Sequence, residues 1–564
     1  MKIFRSLSLF SLMALPCLRA QTAPQTAPQT APQIAPQIAP GDTSRESTPF
    51  FPTREYFHTM FQPRQQYKLE LPGTLRDRVR DGKLRLSLAD VTQLAVSRNT
   101  DVWLARLDVQ QAVTPVMRSW TVFDPQFSGT FSSSFSSSPV ASALSSSKSL
   151  FQQTSVGISQ VLPTGTVYNV GFTGTKASNN NGFDLLNPSL TASLNFSIVQ
   201  PLFRGRGVYL NRAPILIARM NRQIARDRFE QLLIGSLQSV QNQYWDTVNA
   251  RESLAVARNS LQLAEAFYQH DKRSLELGAL PPLDIFRSEA DVANRKVAVT
   301  SAEYFLKQQE DALRRLIAAD LDPDVRGLPL ELTESPSGTE VTFPAPEEAV
   351  ALSFRKRPEL NQLHRQYAIQ QTSERVALNE LKPNMAVGAN YSSNGLGGDN
   401  FISGVLVPGG FNDALRQAFG FGSPTYGFSV TLGLPLRNRS AAADVVDAEI
   451  NLKRTIYSQR STEQQIALDV RTSLNQLEQS RLNIVGAIQA RDLAKKTLDA
   501  EQRKYELGSG QVNFVLDAQQ RLTDAENQLL QATISYRKAV ISVQRATGTL
   551  LDDNHVVLDQ AIGG

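Results

Sequence analysis

The sequence predicts a mainly α-helical chain with a β part, built from a duplicated helix–strand–strand–helix unit. Three observations carry this reading. Landmarks recur at fixed offsets, two very long stretches lack any internal proline, and short segments alternate apolar with uncharged polar residues. Period two with one apolar and one neutral polar face fits a half-buried strand, and equally a barrel strand between lipid and water.

The chain has 564 residues, 41% hydrophobic and 20% charged, with a mean hydropathy of −0.25. Outside the first twenty residues no uncharged apolar run of about 18 residues exists, which excludes a helical membrane span there and leaves the barrel open. The net charge is +5. Lys2, Arg5 and Arg19 supply three of those charges, and no basic cluster with interleaved aromatics follows, so nucleic acid is not an expected partner. Cys17 is the lone cysteine, and His58, His270, His364 and His555 are scattered. The reading therefore has no metal site, no cofactor and no disulfide.

Catalysis finds no support either: there is no GxSxG, no P-loop, and no nucleophile beside a histidine. Gly395-Leu396-Gly397-Gly398 lacks the Lys-Ser/Thr of a phosphate loop. Asp320, Asp322 and Asp324 read as a solvated connector rather than a calcium loop.

In chain order, residues 1–20 read as a signal peptide: Lys2 and Arg5, an apolar run from Leu7 to Leu15, and a cleavage site at Leu18-Arg19-Ala20. Acylation at Cys17 is the rival, but Pro16 and Ala14 fit a lipobox poorly. Residues 21–40 are Gln-x-Ala-Pro repeats, an extended spacer. Residues 41–85 form an N-terminal extension, 86–320 the first repeat, 321–344 a connector, 345–551 the second repeat and 552–564 a tail. The extension, connector and tail are expected to wrap the long helices midway.

The repeat is read from Asn99-Thr100-Asp101-Val102 against Arg357-Pro358-Glu359-Leu360, at an offset of 258. Glu276-Leu277-Gly278 returns as Glu506-Leu507-Gly508 at an offset of 230. Strands are expected at Phe127–Phe135, Leu190–Ile198, Met385–Tyr391 and Tyr426–Leu434, with outward loops at 137–149, 176–188 and 394–423. The first copy has room for one more hairpin, Val156–Leu162 and Tyr168–Phe172 around Pro163-Thr164-Gly165. That pair either joins the barrel, or lengthens strands or packs beside it.

Long helices are expected from Arg212 to Gly278 and from Ser440 to Gly508, each roughly 100 Å by the rise per residue. After each Leu-Gly turn comes a heptad helix. In the second copy the seam is Val515, Ala518, Leu522, Ala525, Leu529, Ala532, Tyr536, Ala539, Val543 and Ala546; in the first, Ile285, Val292, Val299, Leu306 and Leu313 recur every seven residues. Alanine at alternate seam positions suits a wall of closely spaced helices.

With these motifs on the page, the chain resembles the outer-membrane efflux protein family, the TolC-like channels. Gln200-Pro201-Leu202-Phe203 closing a strand, Leu434-Pro435-Leu436 in the matching place, and Tyr505-Glu506-Leu507-Gly508 before the last helix carry the resemblance. It implies a homotrimer with a shared β-barrel in outer-membrane lipid and a long α-helical tunnel across the periplasm. It also implies a passive export duct, joined through a periplasmic adaptor to an inner-membrane transporter. The family usually contributes four strands per protomer, twelve in all; the extra pair, if it joins, would make eighteen.

The resemblance further implies a constriction at the helix tips. Asp284, six residues after Gly278, and Asp517, nine after Gly508, take the acidic ring positions, Phe514 stands where an acid is common, and Tyr505 lies at the same level. Asp284 is also placed to cap its helix, Asp517 to lie on a solvated face and Tyr505 to pack. Gly278 and Gly508 supply tight turns at a tip that docks the adaptor in the family. The competing reading is a periplasmic or surface coiled-coil structural or adhesive protein.

Overall fold

The computed structural model describes residues 53–54, 56–57, 75, 78–139, 145–181, 183–277, 281–336, 343–402, 405–407 and 409–563, all within the unit from Thr43 to Gly564. The signal segment, the Gln-x-Ala-Pro repeats and Gly278 lie outside the described residues.

Strands β1 (Val79–Arg80) and β2 (Lys83–Leu86) precede helices α1 (Leu88–Arg98), α2 (Thr100–Gln111) and α3 (Thr114–Trp120). Strands β3 (Gln126–Ser137), β4 (Lys148–Val161), β5 (Val167–Asn179) and β6 (Leu186–Pro201) follow, then a short α4 (Val208–Asn211) and the long α5 (Ala213–Glu276) and α6 (Pro282–Leu316). After β7 (Leu330–Leu332), the second half brings α7 (Pro346–Lys356), α8 (Pro358–Glu380), β8 (Asn384–Ile402), β9 (Val405–Val407), α9 (Phe411–Phe419), β10 (Pro424–Gly433), α10 (Arg439–Glu506) and α11 (Val512–Thr547). Helices α12 (Leu550–Asp553) and α13 (Leu558–Gly563) close the chain. The offset of 258 carries α1 onto α7 end to end, and the offset of 230 carries the α5–α6 turn onto the α10–α11 turn.

Local chemistry explains the breaks. Ser87 and Asp90 form a capping box that opens α1. Asn99 ends α1 and caps α2, accepting from the amides of Asp101 and Val102 at 2.8 and 3.3 Å. In the second copy Pro358 makes the same break between α7 and α8. Helix α5 runs 64 residues and α10 runs 68, with Pro214 tolerated in the first turn of α5.

The main apolar core lies midway along α5, where Phe229, Leu233, Leu237, Val240, Tyr244 and Val248 are buried. Leu84 and Leu86 of β2, Leu332 of β7, Leu313, Ile541, Leu550 and Ile562 pack into the same core. There β2 pairs antiparallel with β1 and parallel with β7. Asp320 and Asp324 of the connector are exposed, as read from the sequence, but Asp322 is not. Asp322 is 8% exposed, accepts from the Leu75 amide at 3.2 Å and faces the Arg98 guanidinium at 3.9 Å; it ties the N-terminal extension to the connector.

The second sheet has the order β10-β8-β6-β5-β4-β3, with β9 paired to β8. Every pairing is antiparallel, and β6–β8 joins the two repeats. The extra hairpin is β4–β5, a full member of this sheet between β3 and β6. It turns at Gly165, whose φ of +90° is a glycine conformation. The expected loop at 394–423 is different: β8 continues to Ile402, and α9 occupies Phe411–Phe419.

Candidate functional site

Two regions bear on function: the faces of the six-strand sheet, and the turn ends of the long helices. Strand side chains alternate between faces, so the register sorts them. Phe127, Ile158, Val170, Phe196, Tyr391 and Tyr426 are paired in succession across all six strands, which places them on one face. Phe127, Phe131, Phe135, Tyr426 and Phe428 of that face are each at least 66% exposed in the single chain. The opposite face is mostly Ser, Thr, Asn and Gly, interrupted by Phe151, Val199 and Leu396, and its strands are linked by neutral hydrogen bonds. Thr130 and Ser155 lie 2.6 Å apart, Ser193 donates to Asn394 at 2.8 Å, and Asn394 donates to Thr425 at 3.1 Å.

At the helix ends, one carboxylate holds three helices. Asp271 of α5 is fully buried. It accepts from the Tyr505 hydroxyl of α10 at 2.7 Å and from the Ser288 hydroxyl of α6. Phe267 packs on the Tyr505 ring at 5.3 Å, and His270 meets it edge-on at 5.8 Å between centroids. Burial first, then the hydrogen bond to Asp271 and its charge, push the Tyr505 phenol above its ordinary range; Asp284 adds a smaller push. The phenol therefore stays a donor across physiological pH. Farther from the turn, Arg295 of α6 pairs with Asp291 at 2.7 Å and donates to Ser260 of α5 and Thr523 of α11.

The residues expected at the constriction fall as follows. Gly508 has a φ of +75°, and its amide donates to the Tyr505 carbonyl at 2.9 Å, as a left-handed helix end requires. Asp284 lies in the first turn of α6 but is not its cap: the N-cap is Pro281, with no side-chain capping bond. Proline occupies the capping position, so Asp284 pairs with Arg287 at 3.2 Å instead. Asp517 pairs with Arg521 at 2.9 Å on an exposed face, and Phe514 is 56% exposed. Among the described residues no hydrogen bond or ion pair joins Asp284, Asp517 and Phe514 to one another. Leu277 and Leu507, at the two matching helix ends, are 84% and 83% exposed.

Asp271 and Ser288 were not anticipated. The available signal was phase: Ser260, Ala264 and Asp271 are buried at spacings of four and seven along α5, and Ser288 stands four residues before the seam residue Val292. A carboxylate in a seam position must find donors.

Residues 353–549 match the sequence profile of the family described as outer membrane efflux protein. The outer membrane protein TolC of Salmonella enteritidis is 29% identical over 121 residues, 22% of this chain and 25% of that protein; the matched stretch thus spans a quarter of that relative's length. A membrane protein from Pseudomonas aeruginosa shares the fold with a TM-score of 0.61 at 15% identity, covering 82% of this chain and 90% of the other. CusC, in a study of its folding and transmembrane channel formation, gives 0.61 at 16% identity, covering 86% and 99%. Residues 353–549 thus carry the sequence pattern of the outer membrane efflux protein family, and the fold over most of the chain is TolC-like.

Proposed function

We propose that three copies of this chain form a passive export duct of the outer membrane. The sheet becomes its wall in the bilayer, and the long helices become its periplasmic tunnel. The observation that carries this is the sheet's path of six strands, to which the short β9 adds a seventh beside β8, with one mainly apolar face, one mainly neutral polar face and unpaired edges at β3 and β10. Such edges are an aggregation hazard unless covered. Strand directions alternate, so β3 of one copy and β10 of the next run antiparallel and are matched for pairing. Three copies supply eighteen strands, and barrels of that size leave an aqueous channel.

The energy for export comes from an inner-membrane transporter, reached through a periplasmic adaptor that docks on the helix tips. The exposed Leu277 and Leu507 suit an apolar docking contact. In the trimer, Asp284 and Asp517 ring the constriction and attract cations, while Phe514 narrows it with an apolar ring. The Tyr505–Asp271–Ser288 tie holds the tips together.

Planar-bilayer recording tests this reading. The wild-type protein is expected to insert as a channel that prefers cations, and Asp284→Asn with Asp517→Asn to lower cation-over-anion permeability. Unchanged reversal potentials would remove both residues from the constriction; a failure to form any channel would remove the duct.

A further inference from the structure

The far end of the sheet, away from the long helices, carries a helix that the duct itself does not require. Helix α9 lies along β8 on the apolar face. Ala414 and Ala418 are buried against Ala192, Phe419 stacks on Phe172 at 6.4 Å, and the Ser393 hydroxyl donates to the Ala418 carbonyl at 2.6 Å. Gln417 grips the backbone of Leu396 from both sides, accepting from its amide at 3.1 Å and donating to its carbonyl at 3.0 Å. The seat is cut by glycine: a Cβ on Gly395 would come within 1.9 Å of the Ala414 carbonyl oxygen, and one on Gly397 within 2.4 Å of the Gly410 carbonyl oxygen. The glycine run that binds no phosphate through a P-loop thus has a structural use.

The charges of the strands are distributed by face. Lys148 pairs with Ser137, and Lys176 with Gln152 and Leu190. By alternation both lysines stand on the face of Phe127, Ile158 and Phe196, and both are exposed near the far ends of their strands. Arg416 adds an exposed cation on α9. Among the described residues none of the three has a carboxylate partner. The acids nearby are engaged with backbone or amides: Asp413 accepts from the Gly410 amide at the start of α9, Asp399 from the Gly409 amide, and Asp184 from Asn179 and Asn181. The described strand residues on the opposite face carry no charge at all.

We propose that α9, Lys148 and Lys176 form a binding surface for phosphorylated lipid headgroups of the outer leaflet. The inference rests on reading the apolar face as the lipid face. Unpaired cations on a lipid-facing wall are costly within hydrocarbon and favourable at its charged border. Phe411, Leu415 and Phe419 continue the apolar belt beneath them, so one surface holds both parts of an anionic lipid. Its occupant is a net-anionic membrane lipid bearing phosphomonoesters, neither a zwitterionic phospholipid nor a free phosphate.

The test uses the full-length protein in nanodiscs, with native mass spectrometry counting retained lipid. Diphosphoryl lipid A is the probe and phosphatidylcholine the control. The wild type is expected to retain the probe preferentially, and Lys148→Gln with Lys176→Gln and Arg416→Gln to weaken it by at least about fivefold, the scale of one lost surface cation. Phosphatidylcholine retention should not change. Arg416→Gln alone reports on α9 without touching the strands. Equal retention of the two lipids by the wild type, or no loss in the triple variant, overturns the proposal. Electron micrographs of the same samples separate the two readings: inserted particles without lipid preference defeat only this inference, whereas no insertion defeats the duct.

Discussion

Asp271 shows what a single residue does in this fold. Its carboxylate is buried in a helix interface, where an unpaired charge is costly, and two hydroxyls from two other helices satisfy it. Tyr505→Phe removes one donor and leaves the other, a loss of about 2 kcal/mol for a hydrogen bond to a charged group. The expected outcome is looser tips, read as higher conductance in bilayers; unchanged conductance would leave Tyr505 as packing alone. Glu334 gives a pH-dependent case. It accepts from the Leu88 amide at 3.0 Å, and burial is the main reason its carboxyl is raised above the ordinary 4.5. The folded state then binds the proton more tightly than the unfolded one. Its contribution to stability is largest below the unfolded value and is lost as pH rises through the raised value. Glu334→Gln should therefore flatten the dependence of thermal stability on pH just above 4.5, and an identical slope in the variant would show that other groups set it. Of the residues named from sequence, Gly508 is in the expected turn and Tyr505 is engaged at the tip, but Asp271 and Ser288, marked by phase alone, were not singled out. Periodicity marks apolar seams, and a polar residue in phase looks the same as one on a solvated face until its partner from a distant helix is known.

At the scale of elements, the long helices and their turns were legible because proline-free length and heptads are local signals. The expected α11 seam is buried or half-buried throughout, from Val515 to Ala546. Leu529→Pro removes a backbone donor inside α11 and costs about 3 kcal/mol or more. It should abolish trimers in a mass measurement of the detergent-extracted protein, and intact trimers would contradict the seam. The strands were legible for the same reason, since alternation in β3, β6, β8 and β10 needs no partner to be seen. Helix α9 was not: nine residues among glycines read as loop, and its amphipathic face makes sense only against the glycine notch of β8, which is itself a tertiary feature. The β4–β5 hairpin was visible as a pair of strands, but its place between β3 and β6 depends on long-range register.

For the whole molecule, the account makes one claim that differs from the family's usual arrangement. The six-strand sheet would close in threes into eighteen strands rather than twelve, giving a wider passage through the outer membrane while the helical part keeps the family's plan. Both chemical faces of the sheet, the unpaired edges and the alternating strand directions converge on that closure. Single-particle electron microscopy of the full-length protein extracted from outer membranes measures it directly. The account predicts a three-fold particle whose barrel has eighteen strands, with β3 of each copy hydrogen-bonded to β10 of the next. A barrel of twelve strands with β4 and β5 outside the wall, or a particle with no closed barrel, would contradict it.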